Sequence, residues 1–271
     1  MKQSVYSRRL FLKTLSSTTI GMMAFHSKTY PTYTKRMNLI LDNENDDLSR
    51  IHEMLTSEHP LIWLFTGDSI TQGAKHTHGM RSFPEVFAER IRWEMRRTSD
   101  FVINTGVSGW TTVQILNDFD RRIAQLNPKV VVLMIGTNDA AEGRNISLEQ
   151  YGQNLTGLIQ GIRNIEAIPI LLSPNTIIVE KNLERKRLGE YVAKMKGVAQ
   201  QKNVIFVDNW RIWSSDLQIK YNGEVNKKLL NDPLHPNGFG HQEIAIALFK
   251  ELGIFDPNAA TCGGAYYEED H

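Results

Sequence analysis

Cysteine is almost absent: one residue, Cys262, in a chain of 271. That excludes an internal disulfide framework and any cysteine-rich metal centre. Excess charge is missing too. The net charge is +1, yet the first 25 residues hold four cations (Lys2, Arg8, Arg9 and Lys13) and no acid, so the remainder is three charges negative. A weakly acidic body lacks the basic footprint that nucleic-acid binding requires. After the first 30 residues no run is long and apolar enough to cross a bilayer as a helix. No internal repeat, low-complexity block or linker divides the chain. With 41% apolar and 23% charged residues, the composition is that of a folded globular protein.

The amino-terminal segment is distinctive. "SRRLFLK" (7–13) precedes the mildly apolar "TLSSTTIGMMAF". A basic segment followed by a short apolar one reads as an export signal, and this one is too short for a stable span. Paired arginines followed by Phe-Leu-Lys resemble the bacterial twin-arginine type. The expectation is a signal over about 1–30 and an exported, periplasmic or extracellular bacterial protein with no stable membrane span after processing. No clean Ala-x-Ala marks the cleavage point. Residues 31–271 are expected to form one domain with its core at about 60–252.

Apolar runs over 61–67, 101–107, 129–136, 168–174 and 204–208 read as five strands. Between them, amphipathic spacing predicts helices over 43–58, 82–97, 111–125, 148–165, 180–201 and 238–252. The strands are apolar along their length rather than at alternate residues, as in a parallel sheet covered on both faces. The predicted fold class is α/β: a three-layer α/β/α sandwich with a five-stranded, mainly parallel sheet, flavodoxin-like in plan. The tail from Pro257 is expected to lie outside the packed core.

Ligands of open parallel sheets gather at the carboxyl ends of the strands. There the chain places Gly67-Asp68-Ser69-Ile70, then Asn104 to Gly109 ("NTGVSG"), then Gly136-Thr137-Asn138-Asp139. Asp232-Pro233-Leu234-His235 precedes the last helix. These four ordered blocks, spread over about 60–252, resemble the serine, glycine, Gly-x-Asn-Asp and Asp-x-x-His blocks of the SGNH, or GDSL, hydrolase superfamily. The first reads GDSI rather than GDSL. No Gly-x-Ser-x-Gly elbow surrounds Ser69 or Ser108, which argues against an α/β-hydrolase.

The resemblance implies a serine esterase or acylhydrolase working through an acyl-enzyme, with no cofactor. Ser69 would be the nucleophile, His235 its base and Asp232 the orienting acid. The Ser69 and Gly109 N–H groups and the Asn138 amide would form the oxyanion hole. A histidine base predicts activity that falls as the imidazole protonates, near its ordinary pKa of about 6.5.

Several alternatives stand beside these roles. Gly106 competes with Gly109 as the position of close approach, and His241 competes with His235, although it falls on the last predicted helix. Asp68 and Asp139 suit loop hydrogen bonding better than proton transfer. Asp68, Trp110, His76, His78 and Arg81 are possible substrate contacts; Trp110 would stack on a sugar, wall an acyl pocket or pack in the core. His76-x-His78 has metal-binding spacing, but no cysteine or carboxylate lies nearby in sequence to complete a site, and no metal is expected. The basic run 181–188 reads as a solvated helix face. The expected substrate is a small-molecule or glycan ester, with short acyl groups such as O-acetyl on carbohydrate the leading class. Lipid, lysophospholipid or thioester hydrolysis and acyl transfer remain open, and a non-catalytic glycan-binding protein is the weakest reading.

Overall fold

The computed structural model describes residues 47–265. The predicted export signal and the first residues of the helix expected over 43–58 lie outside the described residues. The described residues all belong to one compact unit.

Five strands form the sheet: β1 Ile62–Gly67, β2 Phe101–Asn104, β3 Val130–Met134, β4 Ile168–Leu172 and β5 Ile205–Val207. Their order is β2-β1-β3-β4-β5, with every pair parallel. This is the flavodoxin-like arrangement, whose strand order reverses between β1 and β3. Eleven α-helices are described. Before β3 come α1 Asp47–Thr56, α2 Ser69–Gln72, α3 Phe83–Glu89, α4 Thr112–Asn117 and α5 Phe119–Arg122. After β3 come α6 Leu148–Asn164, α7 Leu188–Gln201, α8 Asn209–Ser214, α9 Asp216–Lys220, α10 Val225–Leu229 and α11 Gly238–Glu251.

Both faces of the three central strands, β1, β3 and β4, are buried, which is why they carry unbroken apolar runs, whereas the edge strand β2 is partly exposed. On one face Trp63, Phe65, Val130, Val132 and Met134 pack with Phe83 and Phe87 of α3 and Ile244 and Phe249 of α11. On the other, Leu64, Val131, Leu133 and Leu171 pack with Leu155, Leu158 and Ile162 of α6 and Met195 of α7. These are the three layers that the sequence predicts.

Three details differ from expectation. The helix expected over 82–97 widens after Glu89 into a π turn, Arg90–Glu94. The one expected from 180 starts only at Leu188, after two short 3-10 turns. Here Asn182 leaves helical geometry (φ −141°). Its side-chain amide donates to the carbonyls of Ile178 and Pro233 at 3.1 and 3.2 Å, tying these turns to the 232–235 loop. The tail also docks. Thr261 and Cys262 are buried, Cys262 joins the core cluster, and the Thr261 N–H donates to Glu94 at 3.0 Å.

Candidate active site

The strand β1 ends where it does because of Gly67. A Cβ there would lie 2.1 Å from the Met134 carbonyl oxygen of β3, so only glycine lets the two strand ends approach. The next residue, Asp68, caps α2: its carboxylate accepts from the Ile70 N–H at 2.9 Å. Ser69 is thereby the first residue of α2, at the reversal point between β1 and β3.

The Asp232–His235 segment is folded by its own acid. Asp232 Oδ1 accepts from the Leu234 and His235 N–H groups, each at 2.8 Å. The Asn231 N–H returns to the His235 carbonyl at 2.9 Å, and Asn237 caps α11 through Gly240. This turn aims the His235 ring at both partners. Nε2 lies 2.9 Å from Ser69 Oγ, while Nδ1 lies 2.9 and 3.1 Å from the two Asp232 oxygens. Only a neutral ring with its proton on Nδ1 can donate to the carboxylate and still accept from the serine. Burial works against the Asp232 charge, but the His235 and Leu234 N–H groups and the His235 ring outweigh it, holding its pKa below the ordinary carboxylate range. The arrangement can remove a proton from Ser69 and stabilise the resulting imidazolium.

Asn138 follows β3 and is fixed without ambiguity. Its Oδ1 accepts from the Arg185 guanidinium at 3.3 Å, and its Nδ2 donates to the Trp110 carbonyl at 3.0 Å. A guanidinium only donates and a carbonyl only accepts, so the amide has one orientation and keeps one N–H for a ligand. Arg185 also donates to the Thr137 carbonyl at 3.1 Å. The run 181–188 is therefore not uniformly solvated: Arg185 turns inward, with a side chain 13% exposed. Nothing in a cluster of basic residues marks which one does so.

The two glycine candidates divide the task. Gly106 is the close-approach position, since a Cβ there would lie 2.7 Å from Gln72 N and 3.1 Å from the Asp68 carbonyl oxygen. Gly109 meets only Arg144 Nη2, at 3.6 Å, but has φ +79°, which favours glycine for its backbone instead.

The comparisons with known proteins point the same way. Residues 65–243 match the GDSL-like Lipase/Acylhydrolase family. The chain belongs to this family. An acetylxylan esterase of Geobacillus stearothermophilus is 25% identical over 210 residues, covering 70% of this chain and 93% of that protein. An uncharacterized Mycoplasma pneumoniae protein is 34% identical over 123 residues; the match covers 44% of this chain but only 14% of that much longer protein. Among solved structures, LAE5, described as an alpha/beta hydrolase from the Lake Arreo metagenome, aligns with TM-score 0.61 at 22% identity, over 73% of this chain and 98% of its own. The acetyl xylan esterase AlAXEase aligns with TM-score 0.60 at 21% identity, over 70% of this chain and 98% of its own. At such identities the structures attest the fold.

Within this GDSL-like fold the remaining candidates take distinct places. His241 sits 1% exposed in α11, accepting from the Phe83 N–H at 3.2 Å. Burial, then the charges of His235 and His76, push its pKa down to about 3. Asp68 faces inward, 1% exposed, and its burial raises its pKa to about 7. Asp139 accepts from the Thr112 N–H and hydroxyl at 3.0 and 2.6 Å, joining the loop after β3 to α4; burial raises its pKa to about 6. Both acids hold loops. Trp110 is half-buried, with the Arg122 guanidinium 4.9 Å from its ring centroid. Arg81 pairs with Glu89 of α3 at 3.5 Å rather than with a residue of the Ser69–His235–Asp232 line. His78 bonds Asn231.

His76 is the surprise. Its ring stacks on His235, and its Nδ1 lies 3.3 Å from Asp232 Oδ2. The fold thus brings to His76, though not to His78, a carboxylate that the sequence separates from it. His76, Asp232 and His235 each place a ligand atom within 4.8 Å of the others. Direction spoils the set as a chelate. An imidazole lone pair lies in its ring plane, and the two rings are 4° from parallel with centroids 3.7 Å apart, so one ion cannot lie in both planes unless a ring turns.

A cavity of about 570 Å³ opens elsewhere, beside α8, α9 and α11. Its cations, Lys196, Arg211, Lys220 and Lys250, face Asp208, Asp216, Glu243 and Glu251, and it is lined by none of Ser69, Asp232 or His235.

Proposed function

We propose that the protein is an exported serine esterase that removes short acyl groups, acetyl above all, from carbohydrate hydroxyls. The observation that carries this reading is the unbroken hydrogen-bonded line from Ser69 through His235 to Asp232. Ser69 Oγ attacks the acyl carbonyl as His235 Nε2 takes its proton. The tetrahedral oxyanion is met by the Asn138 amide and the Ser69 and Gly109 N–H groups. His235 then protonates the departing alcohol, leaving an acyl-serine. Water, deprotonated by the same ring, releases the acid and restores Ser69.

Two features support a carbohydrate alcohol. Ser69 is half-buried rather than enclosed, so a bulky alcohol can stay outside while its acyl group reaches the hydroxyl. Polar groups stand near the hydrogen-bonded line: His76, His78 and Asn231 beside Asp232, and Arg144 beside Gly109. The Geobacillus stearothermophilus acetylxylan esterase, matched over most of both chains, names the substrate class to try first. The export part rests on the 7–13 segment; a reporter fused after residue 30 should leave a bacterial cytoplasm, and one retained inside would refute that part.

The test is hydrolysis of p-nitrophenyl esters from acetate to decanoate, together with acetate release from acetylated xylooligosaccharides. A preference for acetate and release from the oligosaccharide are expected. A preference for decanoate with no release from the sugar would replace this reading with a lipid acylhydrolase.

A further inference from the structure

His235 is covered on one side by a second imidazole. The His76 ring lies 3.7 Å from it, centroid to centroid, and 4° from parallel. His76 is itself anchored. The Asn231 side-chain nitrogen lies 3.0 Å from its Nδ1, and the Asn231 side-chain oxygen Oδ1 bonds His78 Nε2. The loop that delivers it takes positive φ at Lys75 (+70°) and His78 (+52°), a conformation that costs non-glycine residues about 1–2 kcal/mol each. The structure holds this costly turn together with the stack that it makes.

We infer that His76 is a positioning residue: while neutral it fixes the plane of the His235 ring, and when protonated it draws Asp232 away from that ring. The inference rests on the esterase reading above. Asp232 alone leaves His235 free to tilt about its Nδ1 hydrogen bond, and a flat neighbour on one face removes that freedom. Nε2 is then kept on Ser69 Oγ.

The second half follows from what surrounds His76 Nδ1. The Asn231 side-chain N–H needs a lone pair there, whereas Asp232 Oδ2, at 3.3 Å, needs a proton there. Neutral His76 accepts from Asn231. Protonated His76 donates to Asp232 Oδ2, the oxygen that His235 Nδ1 uses at 2.9 Å, and sets a cation against a ring that must itself become cationic. The charged and titratable groups facing His76 are His235, Asp232, Lys75 and His78. Burial and the charge of His235 hold its pKa below that of an ordinary histidine; Asp232 pulls the other way and is outweighed. The neutral form therefore holds at neutral pH, and diversion sets in only on the acid side.

The test compares His76→Phe, which keeps a flat ring without a proton, with His76→Ala, which keeps neither, after checking that each retains the wild-type thermal midpoint within a few degrees. On p-nitrophenyl acetate His76→Ala should lose roughly tenfold or more in kcat with little change in KM, and His76→Phe should recover most of that loss. The acid limb of log kcat/KM should steepen from one proton to two in wild type but stay at one in His76→Phe. Proton–nitrogen NMR of the histidine rings gives a readout independent of turnover: the His76 midpoint should lie below that of free imidazole and rise in His235→Gln. Full kcat in His76→Ala, equal losses in both variants, an unchanged acid limb, or a His76 midpoint indifferent to His235 would each overturn the inference. Wild-type turnover that survives Ser69→Ala would refute the esterase reading instead.

Discussion

Gly106 lies against the backbone of Gln72, so close that a Cβ on it would stand 2.7 Å from the Gln72 nitrogen. The glycine-containing loop after β2 thus rests directly on the helix that begins with Ser69. Gly106→Ala must push the two apart, at a cost of about 1–3 kcal/mol in stability together with a fall in kcat. Gly109→Ala meets only Arg144 Nη2, at an ordinary contact distance of 3.6 Å, and pays only for its backbone angle, about 1 kcal/mol. Urea unfolding of both variants checks the order: Gly106→Ala should be the less stable, and equal midpoints would contradict the contact.

Arg185 holds the oxygen of the Asn138 amide. Replacing it with alanine frees the amide to rotate away from the position proposed for the oxyanion. Arg185→Ala should lower kcat on an acetate ester by about tenfold, less than the 100- to 1,000-fold typical of deleting an oxyanion donor outright, with KM little changed. A kcat within twofold of wild type would show that Trp110 alone orients the amide.

Asp68 is buried, with its pKa raised from 3.8 to about 7. Between those values the folded protein holds a proton that the unfolded chain has released, so this group's contribution weakens stability as pH rises from about 4 to about 7. Asn at 68 keeps an oxygen for the Ile70 N–H and removes the titration. Between pH 5 and pH 8, Asp68→Asn should lose less unfolding free energy than wild type, by about 3 kcal/mol. Parallel curves for the two proteins would contradict the burial argument.

His241 acts with the opposite sign. Its pKa falls from 6.5 to about 3 on folding, so from pH 6.5 down to about 3 the unfolded chain takes up a proton that the folded protein refuses, and acid destabilises. His241→Asn keeps an acceptor for the Phe83 N–H and cannot titrate. It should be less stable at pH 8, because it leaves a void, yet lose less on going to pH 4. Denaturant midpoints at the two pH values decide, and an unchanged acid slope would exclude His241 as the source.

The sheet was legible because its central strands are buried on both faces and so advertise themselves as continuous apolar runs, Val130–Met134 most plainly. Ser69, Asp232 and His235 stand in short sequence blocks, the first at a strand end and the other two before the last helix, and the fold brings them into one hydrogen-bonded line. Arg185 and His76 were not legible, because what distinguishes them is a contact across 47 residues to Asn138 and a stack on His235. Neither leaves a trace in local composition. The docking of Thr261 on Glu94, 167 residues earlier, escaped for the same reason, and the tail's polar, glycine-containing sequence pointed the other way.

The central claim is that Ser69 is the nucleophile, and covalent trapping tests it most directly. Wild type and Ser69→Ala would be treated with a fluorophosphonate, digested and mapped by mass spectrometry, with p-nitrophenyl acetate turnover followed in parallel. One adduct, on the peptide containing Ser69, should form as activity disappears; Ser69→Ala should take none and turn over at least about 1,000-fold more slowly. An adduct on Ser108 or elsewhere, or a Ser69→Ala variant that keeps its activity, would contradict the account.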